Sequence, residues 1–189
     1  MNFLKEKMKE LPQDFFARNA VVVARDLLGK IIEINGMQGR IVETEAYCRD
    51  KASHAFTKTD RSALMFDTYG HVYVYLIYGM YHCLNITTDA ENAGAVLIRA
   101  IEPLTNITVM KIHRKSDITH NLCNGPGKLC QAFNVQMNLN GQKLGDEVKV
   151  YDDEYMMPKI VQTTRVGISE DKELPWRFYL AESHFVSRK

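Results

Sequence analysis

The stretch Val72-Tyr73-Val74-Tyr75-Leu76-Ile77-Tyr78-Gly79-Met80-Tyr81-His82-Cys83-Leu84-Asn85-Ile86-Thr87-Thr88 decides the fold. It is dense in β-branched and aromatic residues and is interrupted only at Gly79-Met80, so it reads as two strands, 72–78 and 81–88, joined by a tight turn. A third run of the same character spans Ala95 to Ile101. Short connections between successive strands imply an antiparallel sheet, because a parallel pair needs a crossover of a dozen or more residues.

Outward from this stretch, residues 30–34 and 38–46 are strand-like and meet through Asn35-Gly36, a hairpin signal; the three residues between the runs also admit a bulged loop. Residues 19–29 predict a helix with Asn19 as N-cap, Val21, Ala24 and Leu28 on one face, and Gly29 at the C-cap. The polar stretch from Arg49 to Arg61 reads as a surface loop, with Asp60 capping a helical turn through Ala63, Leu64 and Met65. Pro103 is expected to open a helix carrying Leu104, Ile107 and Met110, and Pro126 a second carrying Leu129, Cys130 and Phe133. Residues from about 147 to 180 return to short strands. Hairpin-linked strands with helices in blocks give an α+β fold rather than a doubly wound parallel sheet. The expectation is one domain over residues 1–189, a curved antiparallel sheet with surrounding helices.

Composition agrees with that reading. The 189 residues are 46% apolar and 25% charged, ordinary globular usage, and 11 Gly with 5 Pro exclude collagenous or linker-rich chains. The 24 Lys and Arg nearly cancel 23 Asp and Glu, leaving a formal charge of +1 and no global field pointing to nucleic acid or membrane. The longest apolar run, Val72 to Tyr81, is too short and too rich in tyrosine to span a bilayer. Lys5, Lys7 and Lys9 alternate with apolar and acidic residues, unlike a signal sequence, and Cys48, Cys83, Cys123 and Cys130 follow no CxxC pattern. Reduced thiols in a cytosolic protein are expected. The chain shows no internal repeat.

Chemistry concentrates in a few places. In Ile41-Val42-Glu43-Thr44-Glu45-Ala46-Tyr47, a regular strand puts Glu43, Glu45 and Tyr47 on one face. The plain alternative is a solvated face with ordinary surface charges. Two carboxylates about 7 Å apart along a strand approach the roughly 6.5–9.5 Å of an inverting glycosidase, but they point the same way, whereas acid and base must flank the scissile bond. A single catalytic glutamate is the economical reading. Tyr73 and Tyr75 share one face of their strand and Tyr78 takes the other, with core packing as the competing explanation. Tyr47 and His54 add flat rings of the kind that sandwich a planar base. Arg99 interrupts the apolar run Ala95 to Ala100, and a buried guanidinium demands a carboxylate, for which Glu45 and Glu43 are the candidates.

Other clusters say less. His120 with Cys123, or Cys48 with His54, lack the paired spacing of a zinc site, and Asp152, Asp153 and Glu154 lack the spacing of a calcium loop. Between residues 108 and 131, Lys111, Arg114, Lys115 and Lys128, with His113 and His120, face only Asp117 among acids, a face suited to phosphates or simply to solvent. Gly125-Pro126-Gly127-Lys128 is not a P-loop, because its glycine spacing and hydroxyl are wrong.

Taken together, VETEAY (42–47), ASHAF (52–56), VYVYLIYGMYHCLNIT (72–87), AVLIRAIEP (95–103) and GPGKLCQAF (125–133) resemble the alkyladenine type of 3-methyladenine DNA glycosylase, in order and approximate spacing. The resemblance continues more weakly through Thr164-Arg165-Val166-Gly167 and Arg177-Phe178-Tyr179. It implies a single-domain fold around an antiparallel sheet and a monofunctional enzyme, without metal or organic cofactor and without lyase activity. Such an enzyme flips a damaged purine from double-stranded DNA and hydrolyses its N-glycosidic bond. It also implies roles: Glu45 as the base that activates water, Arg99 as its partner, Tyr47, His54 and Tyr75 as the base pocket, Asn85 as the purine screen, and Tyr78 as the side chain inserted into the duplex gap. Arg61, Lys111, Arg114 and Lys128 are the candidates for DNA backbone contacts. Where the family often carries a glycine-rich basic loop, this chain reads Ala55-Phe56-Thr57-Lys58-Thr59-Asp60 before Arg61-Ser62. A monomer acting in the cytoplasm at the nucleoid, or in a nucleus, is expected. The other readings are a non-catalytic binder of damaged DNA and a hydrolase of small nucleosides.

Overall fold

The computed structural model describes residues 8–189, so Lys5 and Lys7 of the N-terminal stretch lie outside the described residues. Among the described residues, nine strands form a curled antiparallel sheet with four α-helices around it, the expected α+β class. Helix α1 (Ala20–Asp26) starts at Asn19, whose Oδ1 accepts from the Val21 N–H at 3.0 Å. Its inward face runs through Ala20, Val23 and Ala24 and continues to Leu27, an i, i+3, i+4, i+7 pattern that leaves Val21 only half-buried.

Strands β2 (Ile31–Ile34) and β3 (Met37–Tyr47) are joined by two residues rather than three. Asn35 and Gly36 both have positive φ, 52° and 73°, the combination a two-residue primed turn requires. β3 is the centre of the molecule. One edge pairs with β6 (Gly94–Pro103); the other pairs first with β2 and then, at Glu43 to Glu45, with β9 (Arg177–Leu180). The β3–β6 register slips around Glu43, an irregularity that bends a sheet and re-aims side chains.

Beyond β6 lie β5 (Tyr81–Thr88) and β4 (Val72–Ile77), all antiparallel, as the opening stretch predicts. Their turn falls at Tyr78-Gly79, one residue earlier than expected. Both residues have positive φ, 54° and 68°, and the Met80 N–H donates to the Ile77 carbonyl at 3.3 Å. Strand twist selects a primed turn, and here a tyrosine occupies one of its left-handed positions. The short β1 (Lys9–Glu10), β7 (Val148–Asp152) and β8 (Ile160–Thr163) complete the sheet.

Two helix starts differ from expectation. Pro103 does not open a helix: it ends β6 opposite Gly39, a strand end where a missing N–H costs nothing, and α3 (Ile107–Arg114) begins after Asn106 turns the chain. It carries Ile107 and Met110 but not Leu104. Helix α2 (Ala63–Asp67) begins after Ser62, not Asp60, because the Ser62 hydroxyl donates to the Thr57 carbonyl at 3.0 Å and accepts from the Thr59 N–H at 2.9 Å, closing the preceding loop. Helix α4 (Pro126–Ala132) does open at Pro126. Alternation along β4 then divides the interior. Val72 and Val74 enter the main core beneath α1 and α4, while Tyr73 joins a smaller cluster with Ala55, Met65 and Ala95, against which Tyr47 and Tyr75 pack. The functional residues gather on that second side.

Candidate active site

Along β3, Thr44 faces α1, where its hydroxyl donates to the Ala24 carbonyl at 2.7 Å, and Glu43 and Glu45 face the other way. Both carboxylates are completely buried, which overturns the solvated-face reading. Arg99 on β6 joins them, donating from Nε to Glu43 Oε1 at 3.1 Å and from Nη1 to Glu45 Oε2 at 3.2 Å. A second guanidinium, Arg177 on β9, donates from Nε to Glu43 Oε1 at 2.7 Å. Two buried negative charges thus meet two buried positive ones, the condition under which such burial is tolerated. Burial pulls the Arg99 guanidinium toward neutrality, and Glu45 and Glu43 more than offset it, holding its pKa above the ordinary value.

Glu45 has two further donors. The Val166 N–H reaches Oε1 at 2.7 Å, and the Tyr47 hydroxyl reaches Oε2 at 2.9 Å. Burial, reinforced by the Glu45 charge, pushes the Tyr47 phenol far above its usual range, so it stays a donor. Behind Tyr47, Arg165 lies between two rings, its guanidinium carbon 4.8 Å from the Tyr47 centroid and 5.1 Å from that of Trp176. Its Nη2 donates to Asp50 Oδ1 at 2.7 Å. The loop from Arg49 is therefore not simply a surface segment: Asp50, Ser53 and Ala55 are buried, and the loop delivers His54 to the site.

His54 Nδ1 lies 2.8 Å from the Tyr73 hydroxyl, and its ring meets Tyr75 edge-on at 4.7 Å between centroids. Burial, with the Arg61 charge adding to it, lowers the His54 pKa and favours the neutral ring. Burial likewise raises the Tyr75 phenol well beyond its usual range. Tyr47, His54, Arg61, Tyr75, Arg99 and Val166 line a cavity of about 390 Å³, within the size range of small-molecule sites. Glu45 sits directly behind three of those walls. Tyr78 stands at the rim and is 80% exposed. The rings of Tyr47, His54 and Tyr75 suit a flat guest.

Of the residues expected at the site, Asn85 is set back. It does not line the cavity; it is buried on β5 beyond Cys83, and its Nδ2 donates to the Tyr73 carbonyl at 3.1 Å and the Cys83 carbonyl at 3.4 Å. Arg61 lies at the mouth with its guanidinium 5.1 Å from the Tyr75 centroid. Arg114 and Lys128 line an adjoining cavity of about 480 Å³ that shares Tyr78, Arg99 and Val166 with the first. Lys128 Nζ donates to Asn121 Oδ1 at 2.6 Å and Asn124 Oδ1 at 2.8 Å, while Lys111 on α3 lines neither cavity. Nothing in the sequence marks Ser187, and Val166 and Arg177 stand there only in the weaker part of the resemblance, with no role attached. Arg177 heads the run Arg177-Phe178-Tyr179-Leu180, a cation in a strand of buried character, the same signal that marks Arg99. Among the described residues, no group of three or more His, Cys, Asp or Glu side chains is placed to hold a metal ion.

The family model described as methylpurine-DNA glycosylase matches residues 14–184. Curated relatives bear the name "Putative 3-methyladenine DNA glycosylase". One from Methanoculleus marisnigri is 46% identical over 95% of this chain and 99% of its own. One from Alkaliphilus oremlandii is 43% identical over 95% of this chain and 100% of its own, and one from Rhizobium etli is 45% identical over 92% and 87%. By these matches the protein is a DNA glycosylase. Within that class, the chain belongs to the methylpurine-DNA glycosylase family.

Proposed function

We propose that this protein is a monofunctional, monomeric DNA glycosylase that removes alkylated purines, 3-methyladenine foremost, from duplex DNA and leaves an abasic site. The observation that carries this is Glu45: a carboxylate wholly buried, held by Arg99, Tyr47 and the Val166 N–H, directly behind a cavity walled by Tyr47, His54 and Tyr75. An ionised carboxylate offers about four acceptor positions, and three are taken, one on Oε1 and two on Oε2. The open position on Oε1 is where a water proton would be received.

The damaged nucleotide swings out of the helix and its base enters the cavity, while Tyr78 fills the gap; extrusion costs least for a damaged or mispaired base. The bond between C1′ and the purine nitrogen breaks with its electron pair leaving on the base, so a cationic N-alkylpurine departs neutral. Positive charge developing on the sugar is stabilised by Glu45, water oxygen bonds to C1′, and the water proton passes to the open Glu45 position. A lyase reaction needs an amine for a Schiff base, and the residues lining this cavity include no lysine.

Incubation with methylated duplex DNA and assay of free bases tests the proposal. The wild type releases 3-methyladenine and E45Q loses at least about a hundredfold in rate, by the size of effect expected when a general base is removed. Full release by E45Q, or strand nicking trapped by borohydride, overturns it. Tight binding without release would favour a damage-binding protein, and turnover of free nucleosides a nucleoside hydrolase.

A further inference from the structure

Two buried glutamates lie on one face of β3, and their surroundings differ in a way that divides the labour between them. Glu45 keeps one acceptor position open. Glu43 accepts four bonds: Oε1 from Arg99 Nε at 3.1 Å, Arg177 Nε at 2.7 Å and the Ser187 hydroxyl at 2.9 Å, and Oε2 from the Ser187 N–H at 2.6 Å. Of its donors only Arg99 lines the cavity, whereas Tyr47, Arg99 and Val166, which hold Glu45, all do. The bond from Arg99 to Glu43 nevertheless fixes the active site, because guanidinium is rigid and planar, so a partner that anchors Nε also sets the direction of Nη1. That Nη1 is the one donating to Glu45 at 3.2 Å.

The anchor is itself held from outside the sheet. Ser187 grips both Glu43 oxygens, Arg99 Nη2 approaches the same hydroxyl at 3.4 Å, and Arg177 Nη2 donates to the Arg188 carbonyl. Val186, buried beside them, seats the segment. We infer that Glu43, clamped by Arg177 and by Ser187 of the segment 186–188, is a positioning residue that aims Arg99 at Glu45, so this segment is part of the catalytic apparatus although it touches neither base nor water. The inference rests on the assignment of Glu45 proposed above.

Single-turnover base release at saturating enzyme, with binding to abasic-site duplex and thermal unfolding alongside, tests it. E43Q should slow release by about ten- to a hundredfold, the penalty of a misplaced catalytic group, with binding to abasic DNA unchanged within about twofold. A chemical step slowed while binding to abasic DNA holds is a split that a purely structural role would not produce. S187A removes one hydroxyl and keeps the backbone N–H bond to Glu43; it should slow release about three- to tenfold and lower the melting temperature by only about 2–4 °C, so that the protein stays folded in the assay. If E43Q does not fold, S187A decides. Wild-type rates in the folded variants overturn this inference alone, whereas a wild type that releases no base overturns both readings.

Discussion

His54 shows how the pocket tunes single residues. Its imidazole is bonded to Tyr73 and packed edge-on against Tyr75, and burial, then the Arg61 charge, lowers its pKa below the ordinary 6.5. A group whose charged form is favoured in the unfolded chain contributes stability above the unfolded pKa, and that contribution is lost as pH falls from about 6.5 toward the folded value. Melting curves between pH 7.5 and pH 5.5 should therefore show a drop for the wild type that is smaller in H54Q, because the variant has no proton to take up. Equal drops would mean that folding does not lower the His54 pKa. The same neutrality serves the proposed reaction, since a charged imidazole beside a cationic purine would oppose its entry.

At the scale of an element, the β4–β5 hairpin sets stability against activity at one position. Tyr78 has φ 54°, a left-handed conformation that costs a non-glycine residue about 1–2 kcal/mol, and its ring is 80% exposed, so little packing compensates. Natural hairpins place Asn or Gly there, as this chain does at Asn35-Gly36. The proposed insertion of this ring into the duplex accounts for a tyrosine at so costly a position. Y78G should melt about 2–4 °C higher than the wild type, and should lose about tenfold or more of base release from duplex DNA while losing much less from single strands. A variant that is less stable, or that acts equally well on duplex, would show that the ring is there for packing.

For the whole molecule, a formal charge of +1 means that DNA must be held by a local face. Arg114 and Lys128 line the cavity adjoining the base pocket, and Arg61 lies at its mouth. Affinity for undamaged duplex should fall linearly on a log–log plot against salt, with a slope of about −0.9 per phosphate neutralised. R114A should flatten that slope by about 0.9 and leave the preference for damaged bases unchanged, as titrations at several salt concentrations would show. An unchanged slope would place the phosphate contacts elsewhere.

The hairpins β2–β3 and β4–β5–β6 and their antiparallel sense were readable along the chain, because hairpin turns and alternating apolar residues are local signals. So was the need of Arg99 for an acid, since a guanidinium in an apolar strand has few alternatives. Which acid was not. Only the tertiary structure brings β9 against β3 at Glu43 and seats Ser187 on both of its oxygens, while residues that line the cavity hold Glu45; the Glu43 partners lie 134 and 144 residues away in sequence. It also decided that Pro103 ends a strand, that Asn85 lies behind Cys83, and that Tyr78 rather than Met80 takes the strained place in its turn. Local propensity reports what one segment prefers, whereas burial, register and the saturation of a carboxylate depend on which distant segments arrive beside it.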